Sequence, residues 1–448
     1  MKRNIGIMAI LLVTLLWIPA CASAAPAADS HYAVPVDPAE ATAMPTASAP
    51  AQYQDVQSDL PRDLSPQVPD SDLAELVKGN TKFAFSLYKQ IDSGEENLFY
   101  SPYSISLALS MTYAGAKDQT AGQMAQSLEF LLPPDRLSAA FNRLALELDG
   151  RSKDENAESD ETFRLSVVNS LWGHSGTPFE QDFLDLLARN YGAGIFSVDF
   201  QKDPDAVRLA INDWVGRSTE QRIKEIIPVG MLDPLTRLVL ANAVYFKAAW
   251  GHPFAPEDTR DGTFHLLDGR SVNVPMMLTI LDLKEMQGDG YTGVELPYAG
   301  GQLSMMIILP DEDRFREMEE NLDAGLIEKT YEAMKEVEFT AFTMPKFSFD
   351  WSMGLADGLQ ILGMEDAFIA ELADFSGMDG ARDLYLSAIL HKAFISVDEQ
   401  GTEAGASTVV IGTMGVPEVF SVDRPFIFVI RDNPTGTILF LGRVMNPS

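Results

Sequence analysis

Residues 396–408, Ser396-Val-Asp-Glu-Gln-Gly-Thr-Glu-Ala-Gly-Ala-Ser-Thr408, join a β-type run to a stretch of small side chains that can itself become a strand. The run before it, Ala393-Phe-Ile-Ser-Val397, is β-branched and aromatic, as a pleated and partly buried surface requires. Beyond Gly401 the side chains shrink. In a strand, Thr402, Ala404, Ala406, Thr408 and Val410 would face one side, and Glu403, Gly405, Ser407 and Val409 the other. A loop able to slide between two existing strands needs this pattern, because bulky or charged inward side chains would block it and proline would remove a ladder donor. Composition alone favours an ordinary surface loop from Gly401 to Gly415.

Glu399-Gln-Gly-Thr-Glu-Ala-Gly-Ala-Ser407 closely resembles the reactive-loop hinge of the serpins, and it lies shortly before Phe420-Ser-Val-Asp-Arg-Pro-Phe426, which is similar to their C-terminal signature. Further segments follow in the family's order. They are Asn97-Leu-Phe-Tyr-Ser-Pro-Tyr-Ser-Ile105, Val239-Leu-Ala-Asn-Ala-Val-Tyr-Phe-Lys247 with Trp250, Met344-Pro-Lys-Phe347 and Leu390-His-Lys392. The resemblance runs from near Ser71 to Ser448. It implies an α+β serpin fold: three β-sheets, the largest able to open, about eight or nine helices around them, and an exposed reactive loop.

The hydropathy pattern agrees with such an α+β domain. Leu73 to Asp92, with Asp70 or Ser71 as caps, Ser104 to Ala114, Glu180 to Tyr191 and Ala206 to Thr219 have helical spacing. Leu238 to Phe246, Leu303 to Leu309, Val337 to Met344, Phe426 to Ile430 and Thr437 to Val444 read as strands, several apolar on both faces and hence central. No linker interrupts residues 75–448, so one large domain is expected over 71–448.

The front of the chain reads as a targeting device. Lys2 and Arg3 precede an apolar run from Ile5 to Ile18, short for a membrane span and typical of a signal peptide over residues 1–20. The only cysteine follows in Leu16-Trp-Ile-Pro-Ala-Cys21, which resembles a bacterial lipobox, although Pro19 departs from its usual residue. An exported lipoprotein anchored at Cys21 on the cell surface or outer membrane is the expectation, with a soluble secreted product cleaved at Ala22-Ser-Ala24 as the alternative. Residues 21–70 are rich in Ala, Pro, Ser and Asp and read as a flexible tether.

Charge and residue inventory narrow the chemistry. With 65 acidic against 33 basic residues the net charge is −32, which argues against nucleic acid or heparin-like partners. Five histidines show no zinc spacing and the lone cysteine sits at the leader junction. No metal, cofactor or catalytic residue of its own is therefore expected.

The resemblance implies instead an inhibitor, expected to be a monomer, that uses the chemistry of its target serine protease. The protease would cut the loop and form an acyl-enzyme. The segment from Gly401 onward would then insert into the central sheet before water releases the covalent complex. By the same resemblance, Glu399, Gly401, Thr402, Glu403, Ala404, Gly405, Ala406 and Ser407 form the hinge. Ser101, Ser104, Asn242 and His391 form the cluster beneath the sheet called the shutter, and Trp250 marks the first point of opening, the breach. The scissile bond is read as Met414-Gly415 when counted back from Phe420, or as Gly415-Val416 when counted forward from the hinge. An unbranched apolar Met414 fits chymotrypsin-, elastase- or subtilisin-like pockets. A carrier, chaperone or adhesin built on the same fold is the rival.

Overall fold

The computed structural model describes residues 50–91, 94–151, 163–402 and 418–448. Among them, Leu238–Ala249 is buried almost throughout, as its uninterrupted apolar run requires, and it forms the middle of a seven-stranded sheet. From edge to edge that sheet runs Gln54–Val56, Ile195–Val198, Phe163–His174, Leu238–Ala249, Leu386–Val397 and Phe347–Gly354. Gly401–Thr402 lies against the far end of the central strand.

Strand directions matter more than their number. The central strand is antiparallel to Phe163–His174, and Leu386–Val397 is antiparallel to Phe347–Gly354. The two middle strands, Leu238–Ala249 and Leu386–Val397, are parallel to each other. Parallel pairing is the slightly weaker ladder per residue. A strand placed between them, running the opposite way, would replace one parallel ladder by two antiparallel ones.

The second sheet has nine strands, eight in a path that ends on Ile438–Val444 and Leu98–Tyr100 and one, Arg260–His265, beside that path. The three sheets implied by the resemblance are two continuous ladders here. The reason is the long strand Ser271–Gln287, which pairs with Arg260–His265 and Lys335–Pro345 and, at its end, with Tyr291–Pro297. A register shift between Val337 and Thr340 interrupts its ladder with Lys335–Pro345, where Phe339 adopts φ +55°.

Ten α-helices are described, near the expected number. Two begin as their sequences dictate. Pro102 opens Pro102–Tyr113 behind the cap Ser101, whose side chain accepts from Ser104 N, and Pro204 opens Pro204–Ser218 behind Asp203, which accepts from Ala206 N. The first expected helix is Asp70–Tyr88, capped at Pro69 without a side-chain bond, so Asp70 and Asp72 fall within its first turn. There Asp72 is buried and takes two hydrogen bonds from Arg136.

The tether expected over residues 21–70 is corrected from residue 50 onward. Gln54–Val56 is an edge strand of the first sheet, Asp63 N donates to Arg189 O at 2.9 Å, and Arg62 Nε donates to Asn142 Oδ1 at 2.8 Å. Backbone ladder bonds do not depend on composition, and apolar side chains spaced along the segment, Ala51, Tyr53, Val56 and Val68, pack on the body, Tyr53 in an aromatic niche. The folded body thus begins about twenty residues before the expected boundary at 71. The signal peptide over 1–20 and Cys21 lie outside the described residues.

Candidate functional site

Beneath the two parallel strands, four side chains from distant parts of the sequence meet. Asn242 and His391 stand opposite each other in the parallel register, and Ser101 and Ser104 reach up from the start of helix Pro102–Tyr113. All four are fully buried. Ser101 N donates to His391 Nε2 at 3.2 Å, which leaves the ring proton on Nδ1, facing Asn242 Oδ1. Asn242 Nδ2 then donates to Ser104 Oγ (2.5 Å), to Ser104 O (3.2 Å) and to Asn169 Oδ1. The network ties strands Phe163–His174, Leu238–Ala249 and Leu386–Val397 to one helix cap. Asn169 is absent from the sequence reading. Its signal was a lone amide in the apolar run Val167-Val-Asn-Ser-Leu171, opposite Asn242.

Burial holds His391 neutral and lowers its pKa to about 3, against about 6.5 for a free imidazole. The unfolded chain therefore takes up a proton, as pH falls through about 6.5, that the native state refuses. Stability from this group is complete above that pH and is lost progressively down to about pH 3. Between pH 7 and 5 the native form should lose about 2 kcal/mol from this residue. His174, also lowered by burial first, acts in the same direction. Denaturant unfolding at several pH values checks this: a His391→Asn variant should keep only the shallower dependence, and an unchanged slope would contradict the assignment.

Above this network the two middle strands part. Their parallel register ends at Tyr245 and Phe394, and the chain turns back over Asp398–Gly401. Trp250, almost fully buried, secures that turn: its Nε1 donates to Asp398 O (3.0 Å), its N donates to Gln400 O (2.9 Å), and its ring stacks on Tyr298 with centroids 4.7 Å apart. Glu399 accepts from Lys346 Nζ (2.7 Å) and Thr259 Oγ1 (2.8 Å). Burial pushes the Glu399 carboxyl up, but these donors outweigh it and hold its pKa below the ordinary value.

The hinge itself is already joined to the sheet. Gly401 and Thr402 pair antiparallel with Ala249 and Ala248, and fully buried Thr402 meets the Tyr298 hydroxyl at 3.1 Å. Gly401 has φ +148°, and a Cβ there would lie 2.1 Å from Ala248 O, so only glycine fits so close to the central strand. The sequence reading has Gly401 and Thr402 enter only after cleavage; in the uncut chain these two residues already occupy the fork. Tyr298, their partner, is a second residue the sequence reading did not place here. Glu403, Ala404, Gly405, Ala406 and Ser407 of the hinge, and Met414, Gly415 and Val416 of both scissile registers, lie outside the described residues.

This architecture has many relatives. The family model for serpin (serine protease inhibitor) matches residues 78–447, and the chain belongs to the serpin family. An uncharacterized serpin-like protein of Thermococcus kodakarensis is 41% identical over 378 residues, covering 83% of this chain and 86% of that one. Leukocyte elastase inhibitor A of Rattus norvegicus is 37% identical over 392 residues, covering 84% of this chain and all of that one. Among solved structures, the native state of the thermophilic serpin tengpin superposes with a TM-score of 0.77 at 30% identity, over 88% of this chain and all of that one. Human thyroxine-binding globulin superposes with a TM-score of 0.76 at 30% identity, over 84% and 100%. Relatives in this family include a leukocyte elastase inhibitor, while one fold neighbour is named for binding thyroxine.

Proposed function

We propose that this protein is a suicide-substrate inhibitor of serine proteases of the chymotrypsin, elastase or subtilisin type. The observation that carries the reading is the hinge in the fork: Gly401–Thr402 is laid antiparallel on the central strand at the point where two parallel strands separate. From there the following residues have a path between strands with which they would run antiparallel on both sides. Their side chains at 404, 406 and 408 are Ala, Ala and Thr, small enough for the interior. Once the loop is cut, its amino-terminal part can zip downward and carry the acylated protease with it. Insertion has to outrun deacylation, so the device is kinetic.

Trapping is tested by incubation with chymotrypsin, pancreatic elastase and subtilisin, followed by denaturing gels and the mass of the released C-terminal peptide. A stable covalent band is expected, with cleavage at Met414-Gly415; a peptide starting at Val416 would move the scissile bond to Gly415-Val416. Clean cleavage without a band would contradict inhibition and favour the carrier reading, which the likeness to thyroxine-binding globulin keeps in view. We further propose export and attachment through an acylated Cys21, supported by the basic and apolar leader and the placement of the sole cysteine. The mass of the mature N-terminal peptide decides this, and an unmodified N-terminus at Ala25 would overturn it.

A further inference from the structure

The feet of the two middle strands are clasped by side chains. Arg237 N donates to Ser387 Oγ (2.9 Å) and the Tyr385 hydroxyl donates to Leu235 O (2.5 Å), around Leu238 and Leu386, where the parallel register begins. A groove of about 870 Å³ opens beside this clasp, with His174, Leu235, Arg237, Ala370, Leu384 and Tyr385 on its walls. Leu235 leaves 65% of its surface exposed there. Leu384 is buried in the large core together with Leu238, Leu240 and Ala248, so this wall stands on the face of the sheet that the large core covers.

Gly401 opposes Ala249 and Thr402 opposes Ala248. Carried down the central strand in this antiparallel register, Gly412 comes opposite Leu238, where that strand begins, and Met414 comes opposite Thr236. On the other flank Leu386 is level with Leu238, so Met414 also comes level with Leu384, next to Tyr385. Residues 403–412 therefore fill the whole gap between the strands, and Met414 is the second residue past its end. Side chains alternate along a strand, so an inserted Met414 points to the same face as Thr402, which is the face of the groove. To admit the strand, the feet must part by about 4.8 Å, which breaks both bonds of the clasp.

We propose that this groove is the seat of Met414 in the cut and inserted chain, and that Tyr385 and Ser387 keep the way to it shut beforehand. The site takes a long, unbranched apolar side chain at the end of an extended segment. Leu235 gives it apolar contact, and the edge of the Tyr385 ring suits a thioether sulfur. Position 414 is then read twice, by the protease pocket before the cut and by the groove after it. The proposal deepens the inhibitor reading and rests on it, because only an inserted loop reaches the foot of the sheet.

The full chain is nicked with subtilisin, the cut is verified by mass to lie after Met414 or Gly415, and the uncomplexed nicked protein is purified. Oxidation of Met414 by dilute hydrogen peroxide is then followed by peptide mass in the uncut and nicked forms, beside their melting temperatures. Nicking should raise the melting temperature and slow oxidation of Met414 about tenfold, equivalent to about 1.4 kcal/mol. A Leu235→Asp variant should keep the rise, because residues 403–412 still pair, but its Met414 should oxidise as fast as in the uncut chain. The double variant Tyr385→Phe with Ser387→Ala keeps the wall and drops the clasp. It should retain the protection and raise the ratio of covalent complex to cleaved protein about fivefold, equivalent to about 1 kcal/mol of barrier. A rise in melting temperature without protection of Met414 would overturn the seat alone, and an unchanged ratio in the double variant would overturn the clasp. No rise on nicking the parent would remove the inhibitor reading and the seat with it.

Discussion

Replacing Thr402 by arginine should turn the proposed inhibitor into a substrate. The side chain at this position is fully buried against the Tyr298 hydroxyl, on a strand whose neighbours are Ala248 and Ala249. No carboxylate is among its bonded partners, so an arginine would enter the fork as an uncompensated charge. Such burial costs on the order of 4 kcal/mol, enough to expel the hinge from the fork in the uncut chain, so that insertion has to seat the charge and slows roughly a thousandfold relative to deacylation. Water would then release the protease from the acyl-enzyme before the loop is seated. On denaturing gels the covalent band should all but vanish and be replaced by cleaved protein, while Thr402→Ser, which keeps the hydroxyl, should trap nearly as well as the parent. Full yields of complex from Thr402→Arg would show that insertion does not begin here. Because Thr402 already sits in the fork of the uncut chain, the arginine should also loosen the turn over Asp398–Gly401. Greater protease sensitivity after Val397 would report that separately.

Much of the sheet that performs this was readable from residues alone. Long apolar runs such as Leu238 to Phe246 and Phe426 to Ile430 are strands because burial on both faces leaves them no other use. The shutter residues came from resemblance, and the structure brings Ser101, Ser104, Asn242 and His391 into one network. What stayed hidden depends on partners far apart in sequence. Asn169 joins that network through a cross-strand register that no local pattern reveals. The docking of Thr402 depends on Tyr298, about a hundred residues earlier, and on how closely Gly401 approaches Ala248. Residues 50–69 have the Ala, Pro and Asp content of a tether, yet a short backbone ladder, the bonds of Ser58 and Arg62 and the apolar contacts of Tyr53, Val56 and Val68 hold them down. The strand directions were equally invisible. A parallel pair in the middle of the sheet follows from chain topology, and it gives the uncut fold its room for improvement.

That room sets the second large expectation. A loop cut near its carboxyl end, within residues 411–417, leaves the segment before the cut free to continue the antiparallel ladder that Gly401 and Thr402 begin, replacing one parallel pairing by two antiparallel ones. Ladder bonds contribute about 1 kcal/mol each, so a new central strand should raise the melting temperature by roughly 20 °C or more, even for a chain of this size. The most direct measurement is thermal unfolding, followed by circular dichroism, of the full chain before and after nicking in that interval by a metalloprotease, which forms no acyl-enzyme. A large upward shift on cleavage is the predicted result. A nicked protein that melts at or below the temperature of the intact one would contradict the claim that the uncut fold stores unspent pairing.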